Sequence, residues 1–75
     1  MRRSDIQDEI DKEPFMPFRL HLASGKSVDV RIADAATVLT SAICVMHPRR
    51  QPDDDPGYDL ISIRNIERLE QLDGL

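Results

Sequence analysis

The sequence predicts a mainly β domain of the α+β class, a short helix followed by antiparallel strands. Three observations carry that expectation. Phe18-Arg-Leu-His-Leu22 and Val28-Asp-Val-Arg-Ile32 alternate apolar and polar residues, as strands with one buried face do. Ala23-Ser24-Gly25 stands between them as turn chemistry. The chain has no Trp, one Tyr and two Phe, so its core must be mostly Ile, Leu and Val, a bias that suits a sheet.

A chain of 75 residues is one domain, 1–75, and folding at that size buries only about 60% of the surface of the unfolded chain. Hydrophobic residues make up 40% and charged residues 32%, a globular composition. Ten basic and fourteen acidic side chains leave a net charge of −4, which works against non-specific binding to nucleic-acid backbones or anionic lipid. A single cysteine cannot form an internal disulfide and suits a reducing compartment. Met1-Arg2-Arg3 runs into Asp5, Asp8 and Glu9 rather than an apolar stretch, unlike a secretory signal. The longest uncharged run, Ala35 to Met46, is too short to span a bilayer. Together these point to a soluble, cytoplasmic protein without a membrane partner.

Residues 4–12 read as the helix. Ser4 is a good N-cap with Gln7 at N3, the pattern of a capping box; Asp5 and Asp8 suit the first turn. Ile6 and Ile10 form an i,i+4 stripe that must dock on the rest of the chain, together with Phe15, because so short a helix does not hold alone. Pro14 keeps Glu13 out of the helical region and ends it.

The two alternating runs then form a hairpin. A two-residue turn would place Leu20 opposite Asp29 and put the apolar sets on opposite faces. A three-residue loop, Ala23 to Gly25, pairs Leu20 with Val28 and Phe18 with Val30, and puts Gly25 at the left-handed position of a type I turn with a G1 bulge.

Ala33-Asp34-Ala35-Ala36 suits either a helical turn or a bend in a long second strand, and Thr37 to Thr40 is short and β-prone. Ala42-Ile-Cys-Val-Met-His47 is apolar on both alternating sets, so cover is expected on both sides. Residues 48–57, with Pro48, Pro52, Pro56 and Gly57, form a polar loop. Tyr58 to Ile63 is a further strand. The last segment is divided: Ile63, Ile66, Leu69 and Leu72 at three-residue spacing suit a helix capped by Ser62 and stopped by Gly74, whereas a strand from Ile66 alternates imperfectly.

That order of elements resembles the Sm/LSm/Hfq small β-barrel. Phe18 to Ile32 resembles the first half of the Sm signature, and Ile63-Arg64-Asn65-Ile66 the tight turn from its fourth strand to its fifth. The resemblance implies a strongly bent five-stranded antiparallel sheet or small Sm-like or SH3-like barrel over 17–72, with 66–71 as the closing strand against the first. It also implies a homo-oligomer held through exposed strand edges, and RNA binding as a second function. The sequence departs from the family at Val28 to Ile32, where no small residue is present for the bend. Thr37 and Val38 stand where the uridine-binding loop has Asn, and Asn65 replaces a Gly. Glu13-Pro-Phe-Met-Pro-Phe-Arg-Leu20 is also similar to a Glu-Pro-Phe-x-Pro-Phe-x-Leu stretch in small uncharacterised bacterial proteins, which implies no activity.

No catalytic residue, cofactor site or metal site is expected, and the chain reads as non-enzymatic. Cys44 and His47, three apart on a strand, point to opposite faces and form no dyad, and Cys44 reads as a small core residue. His21 reads as an exposed residue of a polar face; with His47 it would make a metal pair lacking a third ligand. Asp53-Asp54-Asp55 before Pro56-Gly57 lacks the alternating ligands of a calcium loop and reads as a turn. Asp34, Arg49, Arg50, Tyr58 and Arg64 are the RNA-binding candidates. Tyr58 is the one aromatic free to stack, Phe15 and Phe18 being needed inside.

Overall fold

A computed structural model describes residues 1–47, 53 and 57–72. One helix, α1 (Arg3–Ile10), precedes six strands: β1 (Phe18–Leu22), β2 (Ser27–Val30), β3 (Ala36–Val38), β4 (Ala42–His47), β5 (Gly57–Ser62) and β6 (Ile66–Gln71). They form two three-stranded antiparallel sheets, ordered β2-β1-β6 and β3-β4-β5. The mainly β class is as expected. The expected five-stranded barrel is corrected: among the described residues there are six strands, and no hydrogen-bonded ladder joins the two sheets.

The sixth strand arises from a break in the expected second one. Residues 33–35 form a single 3₁₀ turn in which the Ala35 N–H donates to the Ile32 carbonyl at 3.1 Å. A strongly bent strand needs a small residue or a bulge where it bends, and Val28 to Ile32 supplies neither; the chain breaks its ladder instead. Ile32, expected on the strand's apolar face, lies past its end and is 63% exposed.

The hairpin has the expected register, Leu20 opposite Val28 and Phe18 opposite Val30. Gly25 has φ +90°, and a Cβ there would meet no atom within 4 Å. Gly25→Ala therefore tests backbone conformation alone. It is expected to destabilise the fold by about 1–2 kcal/mol, read as a lower urea midpoint. An unchanged midpoint would mean that the turn relaxes to another type.

β6 is a strand, and it closes against β1 as the resemblance implies, with Leu20 opposite Leu69 and Phe18 opposite Gln71. The helical spacing has two local causes. A 3₁₀ turn at Ile63–Asn65, with three residues per turn, carries buried Ile63 to buried Ile66. A bulge then leaves Glu67 unpaired, since Leu22 faces Ile66 while His21 faces Arg68. Leu69 thereby returns to the core side.

The core is Ile6, Phe18, Leu20, Val30, Ile43, Val45, Ile61, Ile63 and Ile66. Helix α1 begins one residue earlier than expected and ends two earlier. Its N-terminus is held by Asp5, not by the expected Ser4 and Gln7: the Arg2 N–H donates to Asp5 Oδ2 at 3.1 Å, while Gln7 Nε2 donates to Asp11 Oδ1. The Ile6/Ile10 stripe docks as expected, with Ile6 fully buried and Ile10 and Phe15 packed on the core. Phe15 meets Phe18 at a ring separation of 6.1 Å and a 60° tilt, a favourable tilted arrangement. Arg3 Nε donates to the Leu39 carbonyl at 2.9 Å, tying the helix to the β3–β4 turn.

Candidate functional site

Side chains alternate across each strand, and the outward faces of the two sheets differ in chemistry. On the first sheet the outward set is charged. Arg19 and Asp29 are directly opposite, with Arg19 Nε donating to Asp29 Oδ1 at 2.6 Å and Nη2 to Oδ2 at 3.1 Å. Arg31 Nη2 adds a bond to Oδ2 at 3.1 Å. His21, expected to be exposed, is half-buried and paired with Glu70 Oε1 across β1 and β6 at 2.8 Å.

These contacts fix the electrostatics. The hydrogen bond from Arg19, joined by the charges of Arg19 and Arg31 and opposed by partial burial, holds the Asp29 carboxyl below its ordinary value of 3.8. The hydrogen bond from His21 likewise lowers Glu70 from 4.5. A carboxyl that is lowered on folding stabilises the protein fully above its unfolded pKa, and that contribution is lost as pH falls through the folded value. Asp29→Asn is thus expected to be less stable than wild type near neutral pH, the gap closing as the pH drops below 3.8. Urea titrations across that range check it; a gap independent of pH would reject the ionic cause.

On the second sheet the outward set is apolar. Cys44 lies opposite Leu60, and Met46 opposite Tyr58. Leu60 is 62% exposed, Tyr58 63% and Met46 45%. The cover expected on both sides of β4 is therefore present on one side only, over Ile43 and Val45. Cys44 is half-buried on the other side and is not part of the core. Apolar composition records what a strand would bury, not whether the chain supplies a cover.

His47 and Asp59 continue the inward alternation of β4 and β5 past the end of the core, where both are exposed and their side chains meet at 2.5 Å. His21 and His47 sit in different sheets, each paired with its own carboxylate, Glu70 and Asp59. Among the described residues no three His, Cys, Asp or Glu side chains come together as metal ligands, and no helix is long and apolar enough to cross a membrane.

A groove of about 830 Å³ lies between the two sheets, beside the break after β2. Arg19, Asp29 and Arg31 lie at its first-sheet wall, with Met46, His47 and Asp59 at the other and Val28, Ile32 and Asp34 between. The expected RNA-binding residues do not converge on it. Asp34 lines this groove, whereas Arg64 lines a separate pocket with Arg3, Ser41 and Ile63. Tyr58 stands on the outward apolar face of the second sheet. Arg49 and Arg50, like most of the 48–57 loop, lie outside the described residues.

Sequence reading missed the groove because it is a product of the strand break. Its one sequence signal was the absence of a bend-permitting residue in Val28 to Ile32. No protein-family model, no curated protein and no solved structure matches the chain.

Proposed function

We propose that this protein is a small, non-enzymatic binding and assembly module of the cytoplasm that associates with copies of itself. The observation that carries the reading is the apolar strip Cys44, Met46, Tyr58 and Leu60, which runs out to the edge of β5 that is unpaired among the described residues. Exposed hydrophobic patches of this kind mark contact surfaces. An edge strand offers unpaired backbone donors and acceptors to another chain, and β5 carries no Lys, Pro or bulge to guard it. A second copy brings the same apolar residues and the same backbone demand, so self-association satisfies both together. The strand order also supports an Sm-like reading, β2 and β3 together standing in for one bent strand.

RNA binding is the weaker alternative, because Asp34, Tyr58 and Arg64 occupy three separate surfaces of one copy. Size-exclusion chromatography with light scattering tests the main reading. A multiple of the 8.5 kDa chain mass is expected at tens of micromolar, and a strict monomer rejects it.

A further inference from the structure

The pocket around Arg64 carries an inference that uses none of the apolar strip's residues. It has a volume of about 500 Å³ and lies where the start of α1, the β3–β4 turn and the 3₁₀ turn at Ile63–Asn65 meet. Arg3, Thr40, Ser41, Ser62 and Arg64 line it. That set holds two guanidiniums and three hydroxyls and, among the described residues, no carboxylate. The chain as a whole has a net charge of −4, and its Lys12, Arg19 and Arg31 are each engaged by a carboxylate. The lining of this pocket runs against that composition. It sits at the Ala42–Ser62 end of the β4–β5 ladder, opposite the His47–Gly57 end from which the connection 48–56 leaves.

Hydrogen bonds bring the two arginines to one turn. The Leu39 N–H donates to the Ala42 carbonyl at 2.7 Å, which leaves Thr40 and Ser41 at the tip of the β3–β4 turn. On one flank of that tip, Arg3 Nε donates to the Leu39 carbonyl. On the other, the Ser41 carbonyl accepts from the Ile63 N–H at 3.0 Å, and Arg64 is the next residue. The Asn65 carbonyl accepts from the Ala23 N–H at 2.8 Å, so the backbone is held on both sides of Arg64. One arginine is positioned by its side chain and the other by its backbone. Part of the freedom that closing round a ligand would remove is therefore already lost. With Nε engaged, Arg3 keeps the N–H donors of both Nη groups.

We propose that this pocket binds the terminal phosphate of a small phosphomonoester. Guanidinium forks match the geometry of phosphate oxygens, and hydroxyls can donate to the oxygens that the forks leave. A terminal phosphate offers three acceptor oxygens and a charge of about −1.5 to −2 at neutral pH. A phosphodiester inside a nucleic-acid strand carries a single charge, so two fixed cations favour the monoester. Among the described residues no aromatic side chain lines the pocket, so nothing there stacks a base as single-strand binders do. Its volume is in the range of small-molecule sites.

Ribose 5-phosphate is the probe, titrated at fixed ionic strength into isotope-labelled full-length protein. A dissociation constant below about 1 mM is expected, with shifts at the amides of Thr40, Ser41, Ile63 and Arg64 and at the Nε–H groups of Arg3 and Arg64. Ribose should give none. Arg3→Gln and Arg64→Gln should each weaken binding about tenfold or more. Lys26→Gln removes the same charge from a turn outside the pocket and should leave the affinity unchanged. Should loss of the Arg3–Leu39 bond loosen the helix, Arg64→Gln still decides, because the Arg64 side chain is exposed and its replacement leaves the core intact. Binding weaker than about 1 mM, shifts centred elsewhere, an equal response to ribose, or an equal loss in Lys26→Gln would each overturn the proposal. Oligouridine without a terminal phosphate, binding these residues more tightly than ribose 5-phosphate, would overturn it in favour of a nucleic-acid strand. Self-association is read separately by light scattering, so the failure of one leaves the other standing.

Discussion

Phe18→Ala is expected to abolish cooperative folding. Phe18 is fully buried, and it is the point where the parts of the domain meet: it pairs with Val30 of β2 and Gln71 of β6 and stacks against Phe15 beside α1. Truncating a buried Phe costs about 3–5 kcal/mol, the lost transfer energy plus the cavity left behind. A small domain has a total stability near the low end of about 5–15 kcal/mol, so the loss consumes most of it. Thermal unfolding followed by far-UV circular dichroism should show a broad or absent transition for Phe18→Ala. A cooperative melt displaced by only a few degrees would mean that the core repacks around the gap. Leu60→Ala is the matched contrast, because its side chain is mostly exposed and its loss should leave a dilute sample's melt almost unchanged.

Under the proposed self-association, the double variant Tyr58→Lys/Leu60→Lys is expected to remain as single chains. Burying a Leu or comparable side chain is worth about 1.5–3 kcal/mol, so removing two from a contact costs roughly 3–6 kcal/mol, equivalent to two to four orders of magnitude in Kd. Lysine is also the residue natural sheets use to guard an open edge. Light scattering should give 8.5 kDa at concentrations where wild type is larger. The melting temperature of dilute protein should stay the same, since neither side chain belongs to the core. An assembly that survives both lysines would move the contact elsewhere, with the β6 edge the first place to look.

Legibility followed how local each determinant is. The hairpin could be read because face parity and one glycine constrain it together: Leu20 must share a side with Val28, and Gly25 must take a positive φ. The helix could be read from Ile6, Ile10 and Pro14, but its first residue could not, because Asp5 reaching back to the Arg2 N–H competes with Ser4 as a cap. The C-terminal strand was ambiguous for a physical reason. A 3₁₀ turn followed by a bulge gives Ile63, Ile66 and Leu69 the period of a helix. The groove and the uncovered face of β4 depend on which elements fail to meet, and residue spacing carries little information about that. The histidines show the same limit: neither sequence position reveals that Glu70, 49 residues further on, is the partner of His21.

The closure of β6 on β1 has a consequence for the order of folding. Phe18 meets Val30 after a short excursion of the chain, but it meets Gln71 only after 53 further positions (71 − 18). Contacts of long sequence separation incur their chain-closure cost before they are rewarded, and they slow the search. The hairpin should therefore form first, with the second edge of β1 bare until the chain that makes β6 arrives. During synthesis the 43 residues 23–65 must be added between Leu22 and its partner Ile66. Arg19 and His21, on the outward face of that waiting strand, give a nascent chain charge where an unguarded edge would otherwise recruit its neighbours.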